Sequence, residues 1–272
     1  MQRKIGAKKS LGQNFLKSGA ILGEIVKAGQ VSESDFVIEI GPGKGSLTKK
    51  LLENGATVLT IEKDSRLIEF LNEKFGENIS EGKLQILEGD ILEYDLEKDL
   101  PENFQNKKYK LIANIPYYIT GLIIEKFLSS NNSPTDAVLM IQKEVCDRIV
   151  ARDGKESILS MSVKVYCEPK YIKKVPAKFF SPAPKVDSAI IKLGNISKNL
   201  FIENGISEND FFEIVKAGFS HKRKVLISNL KEWQKKKGEK VDFIKKFNKR
   251  NINLKIRAEN LKVEDWINLM KN

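Results

Sequence analysis

The sequence predicts an α/β protein, a parallel sheet with helices on both faces, followed by a small all-helical domain. Three observations carry that prediction. Short apolar runs rich in β-branched residues alternate with stretches whose apolar residues recur at helical spacing. A glycine-rich turn, Gly41-Pro42-Gly43-Lys44-Gly45, lies between the first strong strand signal and the helix after it. Strand signals stop near Asn195, and only helical patterns follow.

The elements follow in order. Residues 36–40, Phe-Val-Ile-Glu-Ile, read as a strand, and Leu47, Leu51 and Leu52 then form one face of a helix. Residues 57–61 form the next strand, followed by a helix patterned on Leu67, Ile68, Leu71 and Phe75. Further strands are expected at 84–87, 110–113 and 137–141. Beyond residue 160 the alternation lapses. Residues 161–167 and 186–193 both read as strands, and the segment around and between them holds Pro169, Pro176, Pro182 and Pro184. A hairpin-like end to the sheet fits this better than another strand–helix–strand unit. Helices are expected at 210–217, 222–230 and 263–270. The chain therefore divides into residues 1–194 and 195–272.

With 41% hydrophobic and 31% charged residues, the 272-residue chain can bury a real core, which excludes global disorder. No apolar run approaches the roughly 18 residues of a membrane span, and the basic N-terminus lacks the apolar stretch of a secretory signal. A soluble, cytoplasmic protein is expected. Cys146 and Cys167 are far apart and read as small buried hydrophobes. With His221 the sole histidine, a histidine-based metal site or catalytic triad is excluded, and no metal is expected. The net charge of +11 is unevenly spread. Residues 1–20 carry five Lys or Arg and no acid, and residues 195–272 carry 18 basic against 10 acidic residues. The stretch between has 24 against 26. Basic ends around a nearly neutral centre suit a polyanion, and Lys222, Arg223 and Lys224 are candidate RNA contacts.

A glycine-rich strand-to-helix turn lets a ligand approach the backbone, and it could serve a nicotinamide, a flavin or S-adenosylmethionine. The G-x-G-x-G spacing departs from the G-x-G-x-x-G of dinucleotide binders. Glu62 ends the second strand, where a carboxylate can accept both ribose hydroxyls, and Asp90 ends the third, where one could accept from an adenine amine. Glu39 lies at the end of the first. Acids at successive strand ends favour a nucleoside ligand, because open α/β sheets bind ligands there.

Asn114-Ile115-Pro116-Tyr117 closes the fourth strand. It resembles the amine-methylating turn of N6-adenine methyltransferases. The N6 lone pair of adenine is delocalised into the ring, so the amine is a poor nucleophile. The Asn114 side-chain oxygen and the Ile115 carbonyl can accept the two amine hydrogens and favour a tetrahedral nitrogen. Pro116 would stiffen the turn, and Tyr117 would stack on a base turned out of its helix. Phe179 or Phe180 could cover the opposite face.

Six segments, in order, now identify a family. They are Leu11-Gly12-Gln13-Asn14-Phe15-Leu16, Glu39-Ile40-Gly41-Pro42-Gly43, Asn114-Ile115-Pro116-Tyr117, Gln142-Lys143-Glu144-Val145, Pro184-Lys185-Val186-Asp187-Ser188-Ala189 and Arg257-Ala258-Glu259-Asn260-Leu261. The chain resembles the bacterial small-subunit ribosomal RNA adenine dimethyltransferases, the kasugamycin-sensitivity methyltransferase family, over almost its full length. The resemblance implies a Rossmann-like seven-stranded methyltransferase sheet with a C-terminal helical domain. It implies that Asn14, Leu16, Gly41, Glu62, Asp90 and Asn114 contact S-adenosylmethionine, with Gly43 in the same turn. The implied reaction is N6,N6-dimethylation of two adjacent adenosines in the 3′ hairpin loop of 16S rRNA, late in assembly, on a pre-30S particle. A monomer is expected, since no exposed heptad is evident. One departure is Tyr118, where the family commonly has Asn. Two rivals are a macrolide-resistance methyltransferase acting on large-subunit rRNA and an assembly factor with a relic methyltransferase fold. A nicotinamide-dependent oxidoreductase is a third, disfavoured by the glycine spacing and the lack of an evident proton-transfer residue.

Overall fold

The computed structural model describes residues 5–105, 107–238 and 241–271. Arg3 and Lys4, part of the basic N-terminal stretch, lie outside the described residues. Nine strands are described: β1 (Phe15–Leu16), β2 (Phe36–Ile40), β3 (Thr57–Glu62), β4 (Leu84–Glu88), β5 (Tyr109–Asn114), β6 (Asp136–Gln142), β7 (Glu168–Val175), β8 (Phe180–Ser181) and β9 (Ser188–Gly194). The helices among them are α1 (Gly19–Gly29), α2 (Ser46–Glu53), α3 (Ser65–Lys74), α4 (Gly76–Ser80), α5 (Thr120–Ser129), α6 (Lys143–Ile149) and α7 (Ile158–Lys164). After β9 come α8 (Asn199–Asn204), α9 (Glu208–Gly218), α10 (Leu226–Lys237), α11 (Phe243–Lys249) and α12 (Val263–Met270).

The chain forms two compact units. The first runs to Cys146 and resumes over Glu168–Ile196, and the second joins Asp147–Cys167 to the residues from Ser197 onward. The first unit is built on a seven-stranded sheet of order β4-β3-β2-β5-β6-β9-β7. Strands β2 to β6 pair in parallel, and β9 runs against both β6 and β7. The chain moves outward from β2 through β3 to β4, then returns to place β5 on the other side of β2. That reversal opens a crevice at the strands' carboxyl ends. Alternate strand residues Val37, Val58, Ile112 and Val138 are fully buried in one cluster with Ile25 of α1 and Leu51 of α2. β1 and β8 form a separate two-stranded sheet, pairing Phe15 with Ser181 and Leu16 with Phe180.

The second unit gathers its core around aromatic rings. Tyr166, Phe201, Phe211 and Phe212 form one cluster, and Trp266 stacks on Phe219 with centroids 5.9 Å apart. Tyr166 also donates its hydroxyl to the Glu208 carboxylate. Cys146 and Cys167 are buried.

The five parallel strands fall where the apolar runs place them. Two expectations differ from the structure. Residues 161–167 are not a strand, because Ser157 caps a helix over Ile158–Lys164 through the Ser160 amide, with a reciprocal Ser160 bond. The hairpin-like end of the sheet exists, but its strands are β7 and β9. The second departure is the start of the helix expected at 222–230, whose residues 226–230 are helical. Residues 221–224 form a turn held by Asn229, which donates to the carbonyls of Gly218 at 2.6 Å and His221 at 3.2 Å. The helix starts at Leu226. Among the described residues no helix is long and apolar enough to cross a membrane.

Candidate active site

The carboxyl ends of β2 to β5 open into a cavity of about 510 Å³ in the first unit. The structure brings together on its walls every residue expected of a cofactor and base site. Asn14, Leu16, Gly41, Gly43, Glu62, Asp90, Asn114, Ile115, Pro116, Tyr117 and Phe180 all line it. Lys222, Arg223 and Lys224 belong to the second unit.

The turn after β2 is held over β3 by the Gly41 amide, which donates to the Ile61 carbonyl at 2.9 Å. Gly41 and Gly43 have φ of +62° and +56°, a region that L side chains rarely adopt. A Cβ on Gly43 would come within 3.0 Å of the Phe15 ring, whereas one on Gly41 would meet nothing within 4 Å. The backbone is therefore bare on the cavity side at Gly41, as close approach of a ligand needs.

Glu62, 5% exposed, is aimed by two amides. Its oxygens accept from Gly43 N at 3.2 Å and Asp64 N at 2.9 Å. Burial pushes its carboxyl above the ordinary value, against the pull of those amides. Asp90 accepts from Lys63 Nζ at 2.6 Å and Leu92 N at 3.0 Å. Burial opposes its charge, but Lys63 and the Leu92 amide more than offset this and hold the carboxyl low. Two acids, a bare glycine turn and a volume within the range of small-molecule sites together fit a nucleoside methyl donor. Glu39 also lines the cavity, but its carboxyl is 1% exposed and accepts from Thr48 Oγ1 at 2.6 Å. Burial, with Glu62 nearby, pushes it up to about 8. It is thus largely neutral where Glu62 needs no second negative charge beside it.

The Asn114 amide is oriented by the N-terminal segment, donating Nδ2 to the Asn14 carbonyl at 3.3 Å. With the nitrogen so engaged, Oδ1 is the free end among the described residues. Tyr117 is held by its hydroxyl, 2.6 Å from Ser188 Oγ at the start of β9. The neighbouring Asp187 accepts from Ala177 N at 2.9 Å, fixing the turn that leads into Phe179 and Phe180. The segment 184–189 thus positions two aromatic residues, a role its sequence did not reveal. Phe180 reaches the cavity and Phe179 does not line it. Tyr118 sits on the rim, 62% exposed, with its ring over Gly12. Lys63 and Asp64 are not singled out by the sequence, and Gln13 enters only as a member of the family segment 11–16, without a role. The signal available was the Glu-x-Asp spacing after β3.

In the second unit His221, Lys222, Arg223 and Lys224 are all exposed. Lys224 lies 3.4 Å from Glu232, which Lys236 also approaches at 3.1 Å. Those lysines hold the Glu232 carboxyl down to about 2.

A glycine turn, paired acids and an Asn-Ile-Pro-Tyr turn around one cavity, on this sheet order, define a class: S-adenosylmethionine-dependent methyltransferases that act on an amine. The model of one family within it, ribosomal RNA adenine dimethylases, matches residues 5–272. The ribosomal RNA small subunit methyltransferase A of Dehalococcoides mccartyi is 39% identical over 260 residues, covering 96% of this chain and 86% of the relative. A dimethyladenosine transferase from Plasmodium falciparum superposes with a TM-score of 0.76 at 30% identity, covering 94% of this chain and 96% of the other. The 23S rRNA methyltransferase ErmE superposes with a TM-score of 0.73 at 21% identity, covering 94% and 98%, and at that identity it shares the fold. The chain belongs to the ribosomal RNA adenine dimethylase family and is an S-adenosylmethionine-dependent rRNA methyltransferase.

The buried Glu39 has a consequence for stability. Its folded value lies above its unfolded one, so the folded state binds the extra proton, and stability is lost as pH rises towards about 8. Glu39→Gln keeps the Thr48 acceptor without the charge. Its stability advantage over the parent should be small near pH 4.5, grow to a few kcal/mol by about pH 8 and then level off. Denaturant unfolding across that range measures it, and a gap independent of pH would contradict a protonated Glu39.

Proposed function

We propose that this protein dimethylates the N6 amines of two adjacent adenosines in the 3′ hairpin loop of small-subunit rRNA. It would act as a cytoplasmic monomer on a late pre-30S particle, with residues 1–194 as the catalytic part and 195–272 as an RNA-binding part. The observation that carries the reading is the Asn114 amide, tied through Nδ2 to Asn14 with its oxygen free, in the same cavity as Gly41, Glu62 and Asp90. The small-subunit target is supported by the name of the relative that shares 39% of its residues.

When bound, S-adenosylmethionine supplies an electrophilic methyl group on a sulfonium. Glu62 would accept from the ribose hydroxyls and Asp90 from the adenine amine, Gly41 and Gly43 would give the backbone clearance, and Asn14 and Leu16 would hold the donor from the N-terminal segment. At the target, Asn114 Oδ1 and the Ile115 carbonyl accept the two amine hydrogens, pulling the nitrogen towards tetrahedral geometry with its lone pair free. Pro116 stiffens the turn. Tyr117, its hydroxyl held by Ser188, stacks on the turned-out base, and Phe180 covers the other face. The amine proton leaves after attack, so no general base is needed. The acceleration comes from positioning and from dipoles fixed in advance. Lys222 and Arg223, exposed and outside the Glu232 pairing that engages Lys224, contact RNA phosphates.

The test is methylation of small subunits lacking the modification, with labelled S-adenosylmethionine and primer-extension mapping. A double stop at adjacent adenosines of the 3′ hairpin is expected. Label on large-subunit RNA, or macrolide resistance in a sensitive host, would replace the reading with the large-subunit one. Bound donor without incorporation would favour an assembly factor. Asn114→Ala should cut kcat by about a hundred-fold or more while weakening donor affinity far less, as calorimetry can show. Comparable losses in both would remove Asn114 from the amine. Replacing Lys222 and Arg223 by Ala should lower the salt slope of log-affinity for RNA by about 1 to 2. An unchanged slope would place the phosphate contacts elsewhere.

A further inference from the structure

Residues 8–17 form a strap along the cavity, and its fastenings lie at both ends of the site. At one end the Gln13 side chain is a two-ended clasp. Its oxygen accepts from Lys8 N at 2.7 Å and closes the strap's own loop. Its nitrogen donates to Asp64 Oδ2 at 3.0 Å, far along the sequence. At the other end the Asn14 carbonyl accepts from Asn114 Nδ2, and the Phe15–Leu16 strand pairs with Phe180 and Ser181. Lys17 N adds a bond to the Phe179 carbonyl at 2.9 Å.

Asp64 is the fixed point of this arrangement. Its side chain is fully buried, and Arg66 grips it with Nε at 2.9 Å and Nη2 at 2.6 Å. Lys8 Nζ stands 3.6 Å away. A buried carboxylate needs a countercharge, and Arg66 supplies one from the same segment, through two bonds. The neutral Gln13 amide adds no charge. What it adds is a place for the strap. Asp64 also works through its backbone, since its amide aims Glu62, whose other oxygen receives Gly43. One residue thus touches both the acid of the donor site and, through Gln13 and Asn14, the amide of the base site.

We propose that Asp64 is a positioning residue which, through Gln13, clamps the residue 8–17 strap across the cavity and so ties retention of the donor to the orientation of the Asn114 amide. The proposal rests on the donor site described above. Asp64 lies behind the cavity wall rather than on it, and Gln13 lines it as part of the strap. Their effect is to keep Asn14 in place for the donor and for Asn114 together.

The test compares wild type with Gln13→Ala and with Gln13→Met, which keeps the length and removes both polar ends. Three readouts are taken on the full chain: the dissociation rate of S-adenosylmethionine, kcat and KM for small subunits, and tryptic cleavage after Lys8, Lys9 or Lys17. In wild type, saturating donor should slow that cleavage. In both variants the donor should leave roughly ten-fold faster or more, the scale of one hydrogen bond to a charged group. kcat should fall by a similar factor with KM for the subunit little changed, and the protection should be lost. Melting temperatures near that of wild type would separate this from a folding defect. Wild-type dissociation rates and protection in the folded variants would overturn the clamp. So would losses that scale only with the unfolded fraction. If wild type itself fails to bind S-adenosylmethionine, the donor assignment fails instead.

Discussion

Parallel pairing of β2 with β3 on one side and β5 on the other is the constraint from which the site follows. Because the strands run the same way, all their carboxyl ends emerge on one edge. Because the chain reverses its progress across the sheet at β2, helices leave in opposite directions and a crevice remains between them. Gly41, Glu62, Asp90 and Asn114 are scattered over more than seventy positions of sequence, yet each follows or ends one of four neighbouring strands. No long-range side-chain contact is needed to assemble them. The hydrogen-bonded register of the sheet does it, and the side chains then only refine direction. Glu62 shows the refinement, aimed by the Gly43 and Asp64 amides while its own burial resists ionisation.

What could be read in advance follows the same division. Four of the five parallel strands, β2, β3, β5 and β6, are largely buried on both faces, so they are near-continuous apolar runs bounded by turns, a pattern plain in the sequence; β4, at the sheet edge, is only partly buried but keeps its apolar Leu84, Ile86 and Leu87. The edge strand β7 is hard to read because it is both at an edge and heavily charged. Its sequence, Glu-Pro-Lys-Tyr-Ile-Lys-Lys-Val, carries lysines that discourage pairing with other chains, and its charge hides the strand period. Residues 161–167 misled for the opposite reason. They are apolar and short, and over so few positions a buried helix and a strand look alike. The deciding feature was the Ser157 cap three residues upstream of Ser160.

Among the residues that line the cavity, Gly41, Gly43, Glu62, Asp90 and Asn114 are legible because chemistry restricts their type (glycine in a tight turn, acids at strand ends, an amide in a proline turn), whereas Asn14 and Leu16 stand out only through the family resemblance. The residues that hold those in place are not legible. Ser188 under Tyr117, Asp187 under the turn before Phe180, Lys63 on Asp90 and Asp64 behind Gln13 act through proximity, which the fold alone creates. Asp187 and Ser188 lie in a segment that marks the family, yet the segment's work on Tyr117 and on the turn before Phe180 is visible only in three dimensions. Of the three basic residues after His221, the sequence also could not tell that Lys224 faces Glu232.

The small sheet of β1 and β8 joins residue 15 to residue 181. During synthesis the strap leaves the ribosome early and has no strand to pair with until residues 180 and 181 follow. β9, which lies between β6 and β7 in the large sheet, emerges later still. A nascent chain therefore carries its glycine turn and both acids well before it can close the cavity, and a truncated product would keep the ligand-facing residues of the first four large-sheet strands while lacking the wall opposite them. Completion of the pocket is in this sense a check that synthesis has passed residue 182.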